Sequence, residues 1–461
     1  MQELEYIKAF KTLLEKCLSA DRNKKITVVY DEDFFDYFKY LSKEINDSKF
    51  KVTYIYIPKE HQKVLLNNEE FHEEREVQLP HGLRPTILNS DIVINFLTDT
   101  SNSSKVRMAV VNLPLPNGCK VATCPQITDE VFELILLSPF EEIDTNCELF
   151  AWAVGNSNLV KIITHDNKGK EFELNIELDG WENEPFISSG IICEQSWGNV
   201  TPGETFCCPD PKKVNGTICI NGSVPGHVFD TDEYLELEFT YGKITRWEAS
   251  SEALKNYLIN LDDNAKKKND PNWCIFAELG IGLNPIIKTL TGNPLFDEKM
   301  AGTIHIGIGN NTQFGHNIQS FIHHDLVVLN PTVYFDERLI IDKGTILFDE
   351  LYEWRSQFLA PILKLQKRIL LTFIHSKIQI TNTEIKRKLN TKKRIGYVDI
   401  FNSSINEDVP IIFSLLEEVN ERSISYEELE RRLNKKISKQ RLKKVIELFF
   451  HYQMIEINDK I

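Results

Sequence analysis

Between Glu278 and Asp325 the chain concentrates side chains that hold cations. FAELGIGLNP, TGNPLFDEKMAGTIHIGIGNN and QSFIHHDLV carry Glu278, Asp297, Glu298, His305, His323, His324 and Asp325 on short segments separated by glycines. Carboxylates mixed with imidazoles are the ligand set of divalent first-row metals. His323 and Asp325 are two residues apart, so on a strand they share a face and can address one ion. His324 then points away and reads as a surface or interface residue. An isolated His-x-Asp is common by chance; its place downstream of Glu278 and the GTIHIGIG strand makes a metal site the reading. Asp297 reads as a cap for the segment that follows it. Gly280, Gly282, Gly302, Gly307 and Gly309 read as positions of tight turning or close backbone approach.

The elements that must position these groups follow from length and periodicity. A chain of 461 residues exceeds what one core organises, so two or three domains are expected. Over the first 140 residues, KITVVYDE, KVTYIYIP, SDIVINFL and MAVVNLP alternate with amphipathic helical runs, one of them from about Glu3 to Leu18. That pattern predicts an α/β domain with an open, mainly parallel sheet. No GxGxxG follows the first strand, which argues against a dinucleotide site. From about Glu141 the alternation shortens to period two, and LVKIITHDNKGKEFELNIEL reads as a hairpin turning at Asn-Lys-Gly. Residues 141–354 are therefore expected to form an α+β metal-site domain on a mixed or antiparallel sheet.

Residues 355–461 differ in charge. They hold 21 Lys and Arg against 13 Asp and Glu, a balance of +8, which leaves −23 on the rest of a chain whose net charge is −15. The acidic body disfavours nucleic acid and anionic membrane surfaces. Within the tail, helices opened by Ser425 and Ser438 and a terminal strand suggest a winged-helix-like module. Lys439, Arg441, Lys443 and Lys444 lie on its second helix, as a solvated face or as a contact for a peptide or nucleic-acid partner. No apolar run is long enough to span a membrane. The first residues read as an amphipathic helix and not as a signal peptide. Nine cysteines without framework spacing suggest reduced thiols and a cytoplasmic location, and Cys207–Cys208 read as small buried residues.

AELGIGLNP, GNPLFDEKMAGTIHIGIGNN and SFIHHDLV resemble the aminopeptidase T family of metallo-aminopeptidases and its relatives similar to 2,5-dihydroxypyridine dioxygenase. The resemblance is good from about Asn199 to Asp349, faint over the first 150 residues and absent from the tail. It implies two divalent ions (zinc, cobalt or manganese) held by Glu204 of NVTPGETFCCPDP, Glu278, His305, His323 and Asp325, and a homodimer. The oxygenase-like relatives imply instead one Fe(II) on two histidines and a carboxylate, here His305, His323 and Asp325. Glu298 is the candidate proton shuttle. His316 and His227, in loops that can overhang the cleft, are the candidate substrate contacts. The chain departs from the peptidase pattern at the position seven residues after the first histidine. The family tyrosine that stabilises the oxyanion is replaced by Thr312, with Phe314 two residues on, and loss of one such donor costs on the order of a hundredfold in rate.

Three functions follow as expectations. The first is a metal-dependent hydrolase acting on a specialised peptide or amide recruited by the tail. The second is a mononuclear iron oxygenase acting on a small molecule. The third is a non-catalytic descendant that binds a partner.

Overall fold

The computed structural model describes residues 1–62, 79, 82–98, 104–178, 185–193, 196–357, 378–381, 423–425, 431 and 455–458. The N-terminal region forms a five-stranded, fully parallel sheet in the order Lys51–Tyr56, Lys25–Tyr30, Ile92–Phe96, Lys120–Thr123, Trp197–Asn199. Its central strand, IVINF, is buried throughout, as expected of a strand covered on both faces. Alternation along it feeds two cores. Ile92, Ile94 and Phe96 pack with Phe10, Phe34 and Phe132 of the helices on one side, and Val93 packs with Ile87, Val106 and Val110 on the other. The fifth strand comes from residues 197–199, so the chain returns to the first sheet well after residue 140. The first helix spans Glu3–Thr12 and continues as a π-helical turn, Leu13–Cys17, matching the expected extent.

The second region contains two antiparallel sheets. Eight strands run in the order Lys243–Ala249, Leu235–Thr240, Val214–Ile220, Glu171–Glu177, Leu159–His165, Thr332–Phe335, Arg338–Asp342, Thr345–Ile346. The 159–177 hairpin forms as the sequence indicates. Asp166 accepts hydrogen bonds from the backbone N–H groups of Lys168 and Lys170, and Gly169 supplies the left-handed φ of +82°. The other sheet has seven strands in the order His227–Val228, Ser223–Val224, His323–Val328, Ile304–Gly309, Phe276–Gly282, Glu204–Cys207, Phe186–Ser188. The helices Phe140–Gly155 and Glu252–Lys268 share one apolar core with both sheets. Leu351 and Trp354 belong to that core, and the Trp354 ring stands 4.8 Å from that of Trp152.

In the tail, Ile378–Thr381 pairs in parallel with Ser423–Ser425 and with Ile455–Asn458. The helices assigned after Ser425 and Ser438, with Lys439, Arg441, Lys443 and Lys444, lie outside the described residues. No helix among the described residues is long and apolar enough to cross a membrane.

Candidate metal centre

One face of the seven-stranded sheet carries nearly all the chemistry. In an antiparallel pair, residues directly opposite each other share a face, as do residues two apart on one strand. The register pairs Glu204 with Gly282, Gly280 with His305, Glu278 with Gly307, Gly307 with Asp325, and Gly309 with His323. Glu204, Glu278, His305, His323 and Asp325 therefore project from one face, floored by Gly280, Gly282, Gly307 and Gly309. The intervening residues, Leu279, Ile281, Ile304, Ile306, Ile308, Leu326 and Val328, enter the apolar core. Sequences such as IHIGIG and AELGIG thus read as an apolar face alternating with a ligand-and-glycine face. A side chain at the glycine positions would fill the space the ligands use: a Cβ on Gly307 would lie 2.7 Å from Glu278 Cβ and 3.2 Å from Asp325 Oδ1.

The ligand atoms converge. His305 Nε2 lies 3.2 Å from Glu278 Oε1 and 3.6 Å from Glu204 Oε2; His323 Nε2 lies 3.3 Å from both Glu278 Oε2 and Asp325 Oδ1. Ligands about 2.1 Å from a common ion stand roughly 3.0–3.4 Å apart, so these separations suit a shared cation. Two sets gather within 4.8 Å: Glu204, Glu298 and His305, and Glu278, His305 and Asp325. All are buried; the His323 side chain, outside both sets, is 18 % exposed.

The histidines are oriented by main chain. His323 Nδ1 donates to the Asn310 carbonyl at 2.7 Å and His305 Nδ1 to the Glu298 carbonyl at 3.2 Å. A carbonyl only accepts, so Nδ1 carries the proton and Nε2 is presented to the carboxylates, the orientation metal-ligating histidines take. Glu278 Oε2 and Asp325 Oδ1 receive no well-formed hydrogen bond despite their burial. The imidazole nitrogen His323 Nε2 lies 3.3 Å from each. Buried anionic oxygens in that condition call for a cation.

Electrostatics agree. Burial alone would lower the His305 pKa, but the Glu278 hydrogen bond and the charges of Asp325 and Glu204 outweigh it and raise it to about 9. His323 is raised in the same way, against burial, by Asp325 and Glu278. Without an ion, protons on the imidazoles supply the positive charge that the carboxylates require. Burial and the Glu204 charge hold Glu298 well above the usual carboxylate range. No cysteine joins the converging sets among the described residues, so the ligand set is one of nitrogen and oxygen, suited to zinc, manganese, cobalt or Fe(II).

Several positions differ from their sequence reading. Glu298 is buried, and its carboxylate joins the cluster. Asp297 does not cap the segment after it. Its carboxylate accepts from Thr291 N at 2.7 Å, Thr291 Oγ1, Gly292 N and Ser223 Oγ, closing the loop before the short helix Pro294–Asp297. His324 does point away from the ligands, yet it is tucked against the Glu252–Lys268 helix, where Nδ1 lies 2.8 Å from Tyr257 Oη. Burial lowers its pKa to about 4. His227 Nε2 is engaged by Glu233 at 2.7 Å. His316 is half-buried in the loop after Phe314. Neither joins the converging sets.

Two features escaped sequence reasoning. Lys299 is fully buried, with Nζ 2.7 Å from Glu204 Oε1 and in a still shorter pair with Glu298 Oε1. The only signal was a lysine between Glu298 and an apolar run in FDEKM. The second is an aromatic wall. Phe186 and Phe206 stack at 4.9 Å, Phe314 lies 4.8 Å from Phe206, and Phe314 meets the His323 ring edge-on at 5.7 Å. Phe206 shares the ligand face with Glu204, so the wall borders the centre. Thr312 is exposed.

Comparison with known proteins agrees with this geometry. Residues 159–326 match the family described as thermophilic metalloprotease (M29). No curated protein sequence matches the chain. Among solved structures, 2,5-dihydroxypyridine dioxygenase from Pseudomonas putida KT2440 is similar, with a TM-score of 0.58 and 15 % identity over 75 % of this chain and 98 % of that one. Wild-type AmpT from Thermus thermophilus is similar, with a TM-score of 0.50 and 13 % identity over 75 % of this chain and 99 % of that one. The chain thus resembles aminopeptidase T and 2,5-dihydroxypyridine dioxygenase in fold, and the segment that carries Glu204, Glu278, His305, His323 and Asp325 matches the thermophilic metalloprotease (M29) family.

Proposed function

We propose that this protein is a metal-dependent hydrolase of the metallo-aminopeptidase type, cleaving an amide bond beside an apolar or aromatic side chain. The observation that carries this reading is the convergence of two main-chain-oriented imidazoles and four buried carboxylates on one glycine-floored face. A divalent ion there would supply Lewis acidity towards an amide carbonyl and lower the pKa of water. Glu278, His305, His323 and Asp325 would hold it. Glu298, whose carboxyl is raised well above the usual carboxylate range by burial and by the Glu204 charge, would shuttle a proton towards a departing amine. Phe186, Phe206 and Phe314 form the apolar side of the site and would receive the substrate's side chain. With no tyrosine at position 312, turnover of general peptides should be slow. The basic tail, through Lys439, Arg441, Lys443 and Lys444, would recruit the specialised substrate.

A second reading rests on one observation: His305, His323 and Asp325 by themselves make a two-histidine, one-carboxylate set of the kind that holds Fe(II) for oxygen chemistry. One experiment separates the readings. Protein purified anaerobically without chelator is analysed for metal identity, then assayed for release of N-terminal residues from peptides and for oxygen consumption. Zinc, manganese or cobalt with peptide cleavage supports the hydrolase. Iron with oxygen uptake replaces it with the oxygenase. Metal-free protein that takes up none leaves a binding protein.

A further inference from the structure

We infer that the Lys299 ammonium is a built-in cation of this centre, taking the place of a second metal ion, so that each chain binds a single divalent ion on Glu278, His305, His323 and Asp325. The inference rests on the metal centre of the preceding reading, and it fixes the ion count.

The two converging sets are unequal. In one, Glu204 and Glu298 both already pair with Lys299 through their Oε1 atoms, and the lysine side chain is wholly shielded from solvent. In the other, Glu278 and Asp325 have no lysine or arginine partner among the described residues, and each leaves one buried oxygen without a well-formed hydrogen bond. The demand for a cation is therefore confined to the half without the lysine. His305 belongs to both sets, yet its Nε2 stands nearer Glu278 at 3.2 Å than Glu204 at 3.6 Å.

The lysine is also held where it is. Its backbone carbonyl accepts from Asn284 N at 2.8 Å and its N–H donates to Phe296 O at 3.0 Å, and Asp297 ties the preceding turn to residues 291–292. A fully buried ammonium on a pinned backbone has no route into water. A second divalent ion on Glu204 and Glu298 would compete for oxygens that Lys299 already uses, and would sit beside a fixed positive charge. The half with the lysine pairs two carboxylates with one ammonium; the half without it offers two carboxylates and two imidazole nitrogens to one ion.

The test is metal stoichiometry in the full-length protein. Wild type, Lys299→Met and Lys299→Gln are stripped, reloaded with excess Mn(II), and measured by native mass spectrometry, elemental analysis and electron paramagnetic resonance. The expectation is one manganese per wild-type chain with an isolated-ion spectrum. Either variant should bind a second equivalent at least tenfold more tightly than wild type does, with exchange coupling between the ions. Two tightly bound, coupled ions in wild type would overturn the inference, and so would folded variants that still hold one. The wild-type spectrum decides the ion count even where neither variant folds. Failure of the hydrolase reading alone would look different: one ion per chain and no peptide cleavage.

Discussion

Gly280 and His305 face each other across neighbouring strands, and the His305 ring occupies the place where a Cβ on Gly280 would project, against Cε1 and Nε2. Gly280 does not have a left-handed φ, so the backbone there asks nothing of glycine; the imidazole does. Gly280→Ala should therefore displace the His305 ring and lower bound metal by roughly tenfold or more, the scale on which metal sites respond to lost support. Elemental analysis of the refolded variant beside wild type checks this. Gly307→Ala, crowding Glu278 and Asp325, should act in the same direction.

His323→Ala removes a nitrogen donor while leaving the carboxylates buried. Bound metal should fall by about tenfold or more. The metal-free variant should also lose stability, because Glu278 Oε2 and Asp325 Oδ1 lose the imidazole that faces them. Metal content unchanged from wild type would remove His323 from the ligand set.

Metal-free protein should become less stable as pH rises above neutrality. A His305 pKa raised to about 9 contributes stability that is fully present below the ordinary histidine value and is lost as pH climbs through 9. Its size is on the order of 3 kcal/mol. Glu298, raised by burial and by Glu204, works with the same sign, since its protonated form is the one the fold favours. Metal binding displaces the His305 Nε2 proton, so uptake should strengthen over the same window. Thermal midpoints of stripped and loaded protein from pH 6 to 10 should diverge as pH increases.

Tyr257→Phe serves as a control on the opposite face of the sheet. It removes the hydroxyl 2.8 Å from His324 Nδ1 and should cost about 1–2 kcal/mol of stability with metal content unchanged. Chemical denaturation together with elemental analysis reads both quantities.

Phe314→Ala opens the aromatic wall beside His323. For a substrate with an apolar or aromatic side chain, KM should rise about tenfold with a smaller change in kcat, the pattern of lost uniform binding. A change in kcat alone would mean that Phe314 acts through the His323 ring and not on the substrate.

The residue types and their alternation determined a good deal without coordinates. Parallel α/β order in the first region, the 159–177 hairpin, and a carboxylate–imidazole cluster on Glu278, His305, His323 and Asp325 follow from period-two and helical patterning and from the residue types, while Glu204 entered only through the resemblance to the aminopeptidase T family. These are local properties, because a strand's two faces are written in adjacent letters. The return of Trp197–Asn199 to the first sheet, the tie of Asp297 to Thr291 and Gly292, and the seat of His324 against Tyr257 depend on which segments meet, and no local pattern records that. Lys299 shows the difference most plainly. In sequence it is a lysine after two acids with nothing to mark it out; in the fold its backbone is pinned just after a short helix, and burial leaves Glu204 and Glu298 as its partners. Whether a charge is solvated or structural is set by the dielectric and the neighbours that tertiary packing puts around it.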